Sequence, residues 1–148
     1  MKQLSRLLTL DANVFIAALK ADEPHSEKCA EILTNLPTHF QLTEPSIIYQ
    51  EVCGTLARKV SLDIANEAKK QMDLMINPKL LVNCDKNLCA SAFCLCLEYN
   101  IYSIDALYLQ VALKNKAIMV SLDKEDFIDK LKKKKLPIEV YNVPEFPY

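Results

Sequence analysis

The stretch Leu7-Leu8-Thr9-Leu10-Asp11-Ala12-Asn13-Val14-Phe15 decides the fold of this chain. Its first four residues form a short apolar run that predicts a buried strand, and Asn13–Ala21 is predicted as the helix that follows. Within residues 10–19, only Asp11 and Asn13 are polar. Asp11 is a residue type that caps helices well, but a cap would leave Asn13 without a purpose.

The alternation of strand and helix continues along the rest of the chain. The predicted strands are Leu7–Leu10, Phe40–Thr43, Lys79–Asn83, Ala117–Leu122 and Ile138–Val143. The predicted helices are Asn13–Ala21, His25–Leu36, Ser46–Val60, Leu62–Ile76, Lys86–Asn100, Ser103–Lys116 and Lys124–Lys135. Ser46 and Ser103 are expected to open their helices, Ser103 as the cap, and all prolines are expected to lie between elements. This pattern predicts an α/β fold with a parallel sheet covered on both faces.

Ligands of such sheets bind beyond the carboxyl ends of the strands, near a switch in strand order. The residues just after each strand are therefore the candidates for a functional site. A length of 148 residues predicts a single domain spanning residues 1–148.

The glycine content excludes several classes of function. The chain has a single glycine, Gly54, where average usage of about 7% would give roughly ten. Dinucleotide-binding loops, nucleotide-triphosphate loops, kinase glycine loops and the nucleophile elbow all require several glycines. The net charge is −1, from 18 Lys and Arg against 19 Asp and Glu, so the overall charge does not indicate a nucleic-acid partner.

The six cysteines form no C-x-x-C pair, and neither histidine lies at a metal-ligand spacing. Reduced cysteines in the core are the expected arrangement, with a zinc site or a redox pair as alternatives. No apolar run reaches the length of a membrane span, and Asp11 interrupts the apolar stretch near the N-terminus. A cytoplasmic protein with no membrane contact is therefore expected.

Three aspartates stand where the fold predicts a site. Asp11 and Asp123 each follow a predicted strand, and Asp105 opens the helix before a strand. Asp11 and Asp123 could instead be helix caps, and Asp105 a first-turn acid that interacts with the helix dipole. Converging carboxylates need a counter-charge, and Mg²⁺ suits them because it takes one or two carboxylates and leaves room for a phosphate oxygen.

Glu51 lies off the apolar stripe of its predicted helix, so on this pattern alone it is a surface glutamate. Gly54, one turn further on, is expected to leave open space beside it. The residues by themselves indicate a metal-assisted phosphoryl site.

The chain resembles the PIN-domain ribonucleases, and most closely the VapC-type toxins of bacterial and archaeal toxin–antitoxin pairs. The resemblance covers nearly the whole chain and depends on the order and spacing of four motifs. The motifs are Leu10-Asp11-Ala12-Asn13, Pro45-Ser46-Ile47-Ile48-Tyr49-Gln50-Glu51-Val52, Asp105-Ala106-Leu107-Tyr108-Leu109, and Ser121-Leu122-Asp123-Lys124 followed by Phe127.

The resemblance implies a three-layer α/β/α fold with a central, mainly parallel sheet of about four or five strands. It implies an endoribonuclease that hydrolyses RNA with Mg²⁺ or Mn²⁺. The implied ligands of the metal are Asp11, Glu51, Asp105 and Asp123, and Glu51 enters this set only through the resemblance.

The same resemblance makes Asn13 and Ser121 polar supports of the site. The acidic end of the last motif is one residue longer than the family pattern, so Asp126 is an alternative to Asp123. The family also implies a homodimer and an antitoxin whose C-terminal segment fills the groove of the site.

A run of lysines, Lys130 and Lys132, Lys133, Lys134 and Lys135, ends the last predicted helix. It is either a solvated helix end, where cations interact well with the dipole, or an RNA-binding patch beside the acids.

Other functions stay open on the sequence. A PIN-like fold could be a catalytically silent RNA- or protein-binding module, or a nuclease of RNA processing rather than a toxin. A phosphatase of the haloacid dehalogenase type needs a second aspartate where this chain has Asn13. A receiver domain needs an acidic pair before its phosphorylated aspartate, and the strand Leu7–Leu10 ends in one acid only.

Overall fold

The computed structural model describes residues 6–148, so the first five residues of the N-terminal stretch lie outside it. Its centre is one sheet of five parallel strands in the order β3-β2-β1-β4-β5. The strands are β1 Arg6–Leu10, β2 Phe40–Pro45, β3 Ile76–Val82, β4 Ile118–Ser121 and β5 Val140–Asn142. The chain adds β2 and β3 on one side of β1, and β4 and β5 on the other. The strand order therefore reverses between β1 and β4.

Seven α-helices flank this sheet in the part of the chain that the structure describes. They are α1 Ala12–Leu19, α2 Ser26–His39, α3 Thr55–Lys59, α4 Leu62–Met75, α5 Lys86–Tyr99, α6 Ser103–Asn115 and α7 Asp129–Lys132. Two π-helical segments, Gln50–Gly54 and Lys124–Ile128, lead into α3 and α7, and a 3₁₀ turn, Val143–Glu145, follows β5. Helix α1 packs against α2, α5 packs against α6, and α6 contacts β1, β2 and β4. The predicted α/β class and the three-layer α/β/α fold are confirmed.

The burial of the central strands shows that the sheet is covered on both faces. Successive side chains of a strand point to opposite faces, and Leu8, Thr9 and Leu10 of β1 are all fully buried. All four residues of β4 are buried as well. Strands with a continuous buried run are typical of parallel sheets between two helical layers.

The expectation that every proline lies between elements is wrong for Pro37, Pro45, Pro78 and Pro144, of which Pro45 ends β2 and Pro144 lies in the 3₁₀ turn. Pro37 lies inside the last turns of α2, and Pro78 lies inside β3. Strand β3 is an edge of the sheet, where a missing N–H is tolerated. Its register with β2 also shifts between Leu42 and Glu44.

Helix α6 begins at Ser103 as predicted, but Ser103 is not its cap, and Ser46 does not open the helix that follows it. Tyr102 occupies the N-cap position of α6, and no side chain caps that helix. Ser46 precedes a helical segment that begins at residue 48, and its Oγ instead accepts the N–H of Cys84 at 3.0 Å. The last predicted helix is shorter than expected, because α7 ends at Lys132.

All six cysteines are free thiols. Cys29 is buried, as expected of a core cysteine, whereas Cys89 and Cys94 are exposed on α5 and contradict that expectation. Between residues 6 and 148, no helix is both long enough and apolar enough to cross a membrane.

Candidate active site

The reversal of strand order places Asp11 at the end of β1 beside the end of β4. The Asp11 N–H donates to the carbonyl of Val120 at 3.0 Å, which extends the pairing of the two strands by one residue. The Asp11 side chain is only 6% exposed. This is the position at which open α/β sheets bind their ligands.

Ser121 links Asp11 to the rest of this strand end. Its Oγ donates to Asp11 Oδ2 at 2.7 Å and accepts both the Asn13 side-chain amide at 3.2 Å and the Asp123 N–H at 3.0 Å. Asn13 Oδ1 in turn accepts the N–H of Leu122 at 3.1 Å. Asn13 and Ser121 therefore fix the loop after β4 and orient the Asp11 carboxylate.

Asp11 does not act as a side-chain cap of α1. It occupies the N-cap position, but its side chain makes no capping hydrogen bond. The cap interpretation of Asp11 is therefore wrong, and the contact with Ser121 explains the direction of its carboxylate.

Glu51 lies on the first π-helical segment, Gln50–Gly54, and is partly buried. Its Oε1 accepts the hydroxyl of Tyr108 from α6 at 2.7 Å. The regular helical spacing predicted a surface position for Glu51. A π-helix has i→i+5 hydrogen bonds, so side-chain directions around it depart from that spacing.

The space beside Gly54 is not next to Glu51, contrary to expectation. A Cβ at Gly54 would come within 3.1 Å of the Gln50 side-chain nitrogen. The missing side chain therefore makes room for Gln50.

Burial and mutual repulsion raise the pKa values of two aspartates. Burial is the main cause for Asp105, whose pKa rises to about 7, followed by the charges of Asp11, Asp123, Glu51 and, last, Asp126. The pKa of Asp11 rises to about 6, mainly through burial and in smaller part through the charges of Glu51 and Asp123, against a lowering by the Ser121 hydrogen bond. The charges of the other predicted acids thus oppose the ionisation of Asp11 and Asp105, and a cation would relieve that repulsion.

Asp123 and Asp126 differ in their relation to these acids. The charge of Asp123 raises the pKa of both Asp11 and Asp105. The charge of Asp126 raises the pKa of Asp105 but not that of Asp11. Asp123 also caps the second π-helical segment, since its Oδ1 accepts the Asp126 N–H at 3.1 Å. Asp126 is exposed and stands 3.9 Å from the ammonium of Lys130. These contacts favour Asp123 as the fourth acid of the site.

The donor chemistry of the site fits a hard divalent cation, because its acids present carboxylate oxygens. Among residues 6–148, however, no three His, Cys, Asp or Glu side chains stand together as a ready-made metal cage. The acids would therefore have to close further to bind a cation.

Glu44, at the end of β2, is an acid of this region that the sequence reasoning missed. Its side chain is 0% exposed, and its Oε2 accepts the N–H of Leu10 at 3.1 Å. Burial raises the pKa of Glu44 well above its usual range, and the charge of Asp11 adds to that rise. Glu44 directly follows the predicted strand Phe40–Thr43, so the rule that examines the ends of strands includes this position, but Glu44 was not among the predicted acids.

Part of the predicted lysine patch has structural contacts. Lys134 donates to the carbonyl of Glu98 at 2.6 Å, and Lys130 donates to the carbonyl of Asn100 at 2.8 Å. Both lysines therefore satisfy carbonyls at the end of α5, which a helix leaves unpaired. Lys132 pairs with Glu145 at 2.9 Å, and Lys133 and Lys135 are exposed.

A groove of about 420 Å³ is lined by one of the predicted acids, Asp123. Asn13, Lys59, His25 and Glu23 also line it, among mostly apolar walls. His25 has a left-handed backbone with φ of 64°, which is uncommon outside glycine.

Comparison with known proteins agrees with this architecture. The PIN domain profile matches residues 8–134. The fold is similar to VapBC2 from Rickettsia felis bound to a promoter DNA fragment, with 15% identity, a TM-score of 0.66, and coverage of 92% of this chain and 98% of that one. It is also similar to VapC20 from Mycobacterium tuberculosis, a sarcin–ricin loop cleaving toxin, with 11% identity, a TM-score of 0.68, and coverage of 89% and 98%.

A third similar structure is FitAcB from Neisseria gonorrhoeae, with 17% identity, a TM-score of 0.63, and coverage of 95% of this chain and 99% of that one. No curated protein sequence matches the chain. These structural similarities concern the fold, whereas the profile covers most of the sequence. By that match, the chain belongs to the PIN domain family.

Proposed function

We propose that this chain is a metal-dependent endoribonuclease and the VapC-like toxin of a toxin–antitoxin pair. The observation that carries the proposal is the meeting of acids at the switch in strand order. Ser121 contacts both the Asp11 carboxylate and the Asp123 N–H there, and the charges of Asp11, Glu51 and Asp123 raise the pKa of Asp105. Such a cluster has a use in a nuclease, because charge develops on phosphate oxygens during hydrolysis and needs stabilisation.

Asp11, Glu51 and Asp105 would hold Mg²⁺ or Mn²⁺, and Asp123 would hold a second ion or a bridging water. When bound, the cation supplies Lewis acidity and neutralises charge on the phosphate. The chain's own residues orient the ligands: Ser121 fixes Asp11 at 2.7 Å, and Tyr108 fixes Glu51 at 2.7 Å. Partners of this kind in a second layer tune metal affinity in many proteins.

RNA is the proposed substrate, and its support in the groove beside Asp123 is the cation Lys59, which lines the groove together with the acid Glu23. Substitution of Lys59 by Gln should weaken RNA binding and flatten its salt dependence. With one phosphate contact fewer, binding releases fewer counterions from the RNA. Arg58→Gln is the matched control, because Arg58 is the exposed cation next in sequence. Equal losses in both variants would contradict a role for the groove.

The exposed lysines Lys133 and Lys135 would add phosphate contacts at the end of α7. Their joint replacement by glutamine should also weaken RNA binding while leaving Mn²⁺ affinity unchanged. Lys132→Gln and Lys134→Gln would instead lower the unfolding temperature, because these two side chains also hold Glu145 and the end of α5.

A cleavage assay tests the activity itself. End-labelled RNA would be incubated with the wild-type protein, Asp11→Asn and Asp105→Asn, each with Mn²⁺ and with a chelator. We expect cleavage by the wild type only when Mn²⁺ is present, and none by the two variants. Glu125→Gln, which removes an exposed acid of the same segment, should cleave normally. Wild-type rates in either aspartate variant would refute the assignment of the site.

A protein antitoxin and a homodimer are proposed as partners, and the cytoplasm as the location. The support for the antitoxin is that solved structures of this fold include VapBC complexes and a toxin–antitoxin complex from Klebsiella pneumoniae.

Induced expression in a heterologous host, with and without the neighbouring reading frame, tests whether the chain is a toxin with an antitoxin. Growth arrest relieved by that frame, with new RNA ends mapped after induction, supports a toxin. RNA cleavage without growth arrest would favour RNA processing, and binding without cleavage a silent module.

A further inference from the structure

At their carboxyl ends, β1 and β2 are joined by hydrogen bonds that involve side chains instead of by backbone pairing. Backbone pairing of these strands ends at Leu8 and Leu42. Beyond it, Thr9 Oγ1 donates to the carbonyl of Thr43 at 2.8 Å, and the Leu10 N–H donates to Glu44 Oε2 at 3.1 Å. A carboxyl group therefore takes the place of the backbone acceptor directly before Asp11.

The other side of Glu44 is irregular as well. The register between β2 and β3 shifts between Leu42 and Glu44. Pairing with β3 resumes at Glu44, which lies opposite Leu81, so Glu44 directly follows the irregularity. Its second oxygen, Oε1, is fully buried and has no hydrogen-bond partner in residues 6–148. A buried polar atom without a partner costs stability, so its presence calls for a reason.

We infer that Glu44 is a positioning residue for Asp11, which it holds in place through the N–H of Leu10. The backbone on either side of the Leu10–Asp11 peptide is then fixed from two directions. Val120 of β4 accepts the Asp11 N–H at 3.0 Å, and Glu44 of β2 accepts the Leu10 N–H at 3.1 Å. The direction of the Asp11 carboxylate depends on both contacts, and Ser121 completes it.

This inference rests on the proposed metal site, and three variants test it. Glu44→Leu removes the acceptor of the Leu10 N–H, whereas Glu44→Gln keeps an oxygen of the same reach. Thr43→Val is the matched control, because it removes a buried hydroxyl from the neighbouring residue without touching Leu10. That hydroxyl donates to Leu80 at 2.8 Å and accepts from Asn115 at 2.7 Å.

The first measurement is the affinity for Mn²⁺. We expect Glu44→Leu to weaken binding by about tenfold or more, as losses of supporting contacts do elsewhere. Glu44→Gln and Thr43→Val should stay close to the wild type. Wild-type affinity in Glu44→Leu would overturn the inference, as would an equal loss in Thr43→Val. An equal loss in Glu44→Gln would also overturn it, because the charge and not the acceptor would then matter.

The second measurement needs no metal. In NMR spectra of isotope-labelled wild-type protein, a scalar coupling through the hydrogen bond should connect the Leu10 nitrogen with the Glu44 carboxyl carbon. The absence of this coupling would overturn the inference. This test does not require Glu44→Leu to fold. In Glu44→Leu, the Leu10 amide should exchange faster with solvent, and the carboxyl resonance of Asp11 should shift. If wild-type protein binds no Mn²⁺, the proposed function fails, while the resonances of Leu10 and Asp11 still decide the role of Glu44.

Discussion

Replacement of Asp105 by asparagine should make the metal-free protein more stable near neutral pH. Burial and four neighbouring acids raise the pKa of Asp105 from 3.8 to about 7 in the folded protein. The folded state therefore binds the proton of Asp105 more tightly than the unfolded state does. As the pH rises from about 4 to about 7, the unfolded chain gives up this proton first, and the folded protein loses stability. Above about pH 7 the whole penalty is present, and asparagine removes it.

The size of the effect follows from the pKa values. Each tenfold change in proton affinity corresponds to about 1.4 kcal/mol, so the rise from 3.8 to about 7 corresponds to at most about 4 kcal/mol. Asp105 is only half-buried, and water screens part of the repulsion, so we expect a gain of about 1–3 kcal/mol. At about 2–4 °C per kcal/mol for a chain of this length, the melting temperature should rise by roughly 3–10 °C.

Urea unfolding with a chelator, at about pH 4.5 and about pH 8, measures this gain. The stability advantage of Asp105→Asn should be small at the lower pH and full at the higher one, and Mg²⁺ should stabilise the wild type more than the variant. Glu125→Gln serves as the control for the loss of one negative charge from an exposed position. Lower stability of Asp105→Asn at about pH 8, or a gain that does not depend on pH, would refute the reasoning that these acids repel one another.

Three further substitutions probe separate contacts of the site. Tyr108→Phe should weaken Mn²⁺ binding about tenfold in a calorimetric titration, because Glu51 loses its donor at 2.7 Å, and unchanged binding would contradict this support. Ser121→Ala should raise the pKa of Asp11 above about 6, because the Ser121 hydrogen bond lowers it; a carboxyl titration by NMR that shows no rise would oppose that role. Asp123→Asn should weaken Mn²⁺ binding more than Asp126→Asn, since only Asp123 acts on Asp11; the reverse order would make Asp126 the fourth acid.

The order of elements could be predicted because each strand carries its own signal. Apolar runs such as Leu7–Leu10 stand out against the amphipathic stripes of the helices, and two buried faces need no alternation. The ends of elements were harder to place, since they depend on contacts between distant segments. Ser46, for example, bonds to Cys84 across 38 positions, so the helix starts later than the local sequence indicates.

The candidate site was predictable where a carboxylate follows a strand, as at Asp11 and Asp123. Glu51 could not be placed from spacing, because a π-helical segment changes the direction of its side chain. Glu44 also follows a predicted strand, Phe40–Thr43, but its burial could not be predicted. Its burial depends on the gap between β1 and β2 beyond Leu8, and no local pattern of residues reveals where a backbone ladder stops.

The two edges of the sheet restrict how other proteins can attach to this chain. Strand β3 carries Pro78 inside a stretch where its register with β2 shifts, and β5, at the other edge, is only three residues long. Irregular, proline-containing or short edges resist pairing with a foreign strand. Although β3 has seven residues, its proline and shifted register leave no long regular template for strand addition at either edge of the described sheet. Recognition by a partner therefore has to use side chains on the helices and loops, where single substitutions can change the choice of partner without disturbing the sheet.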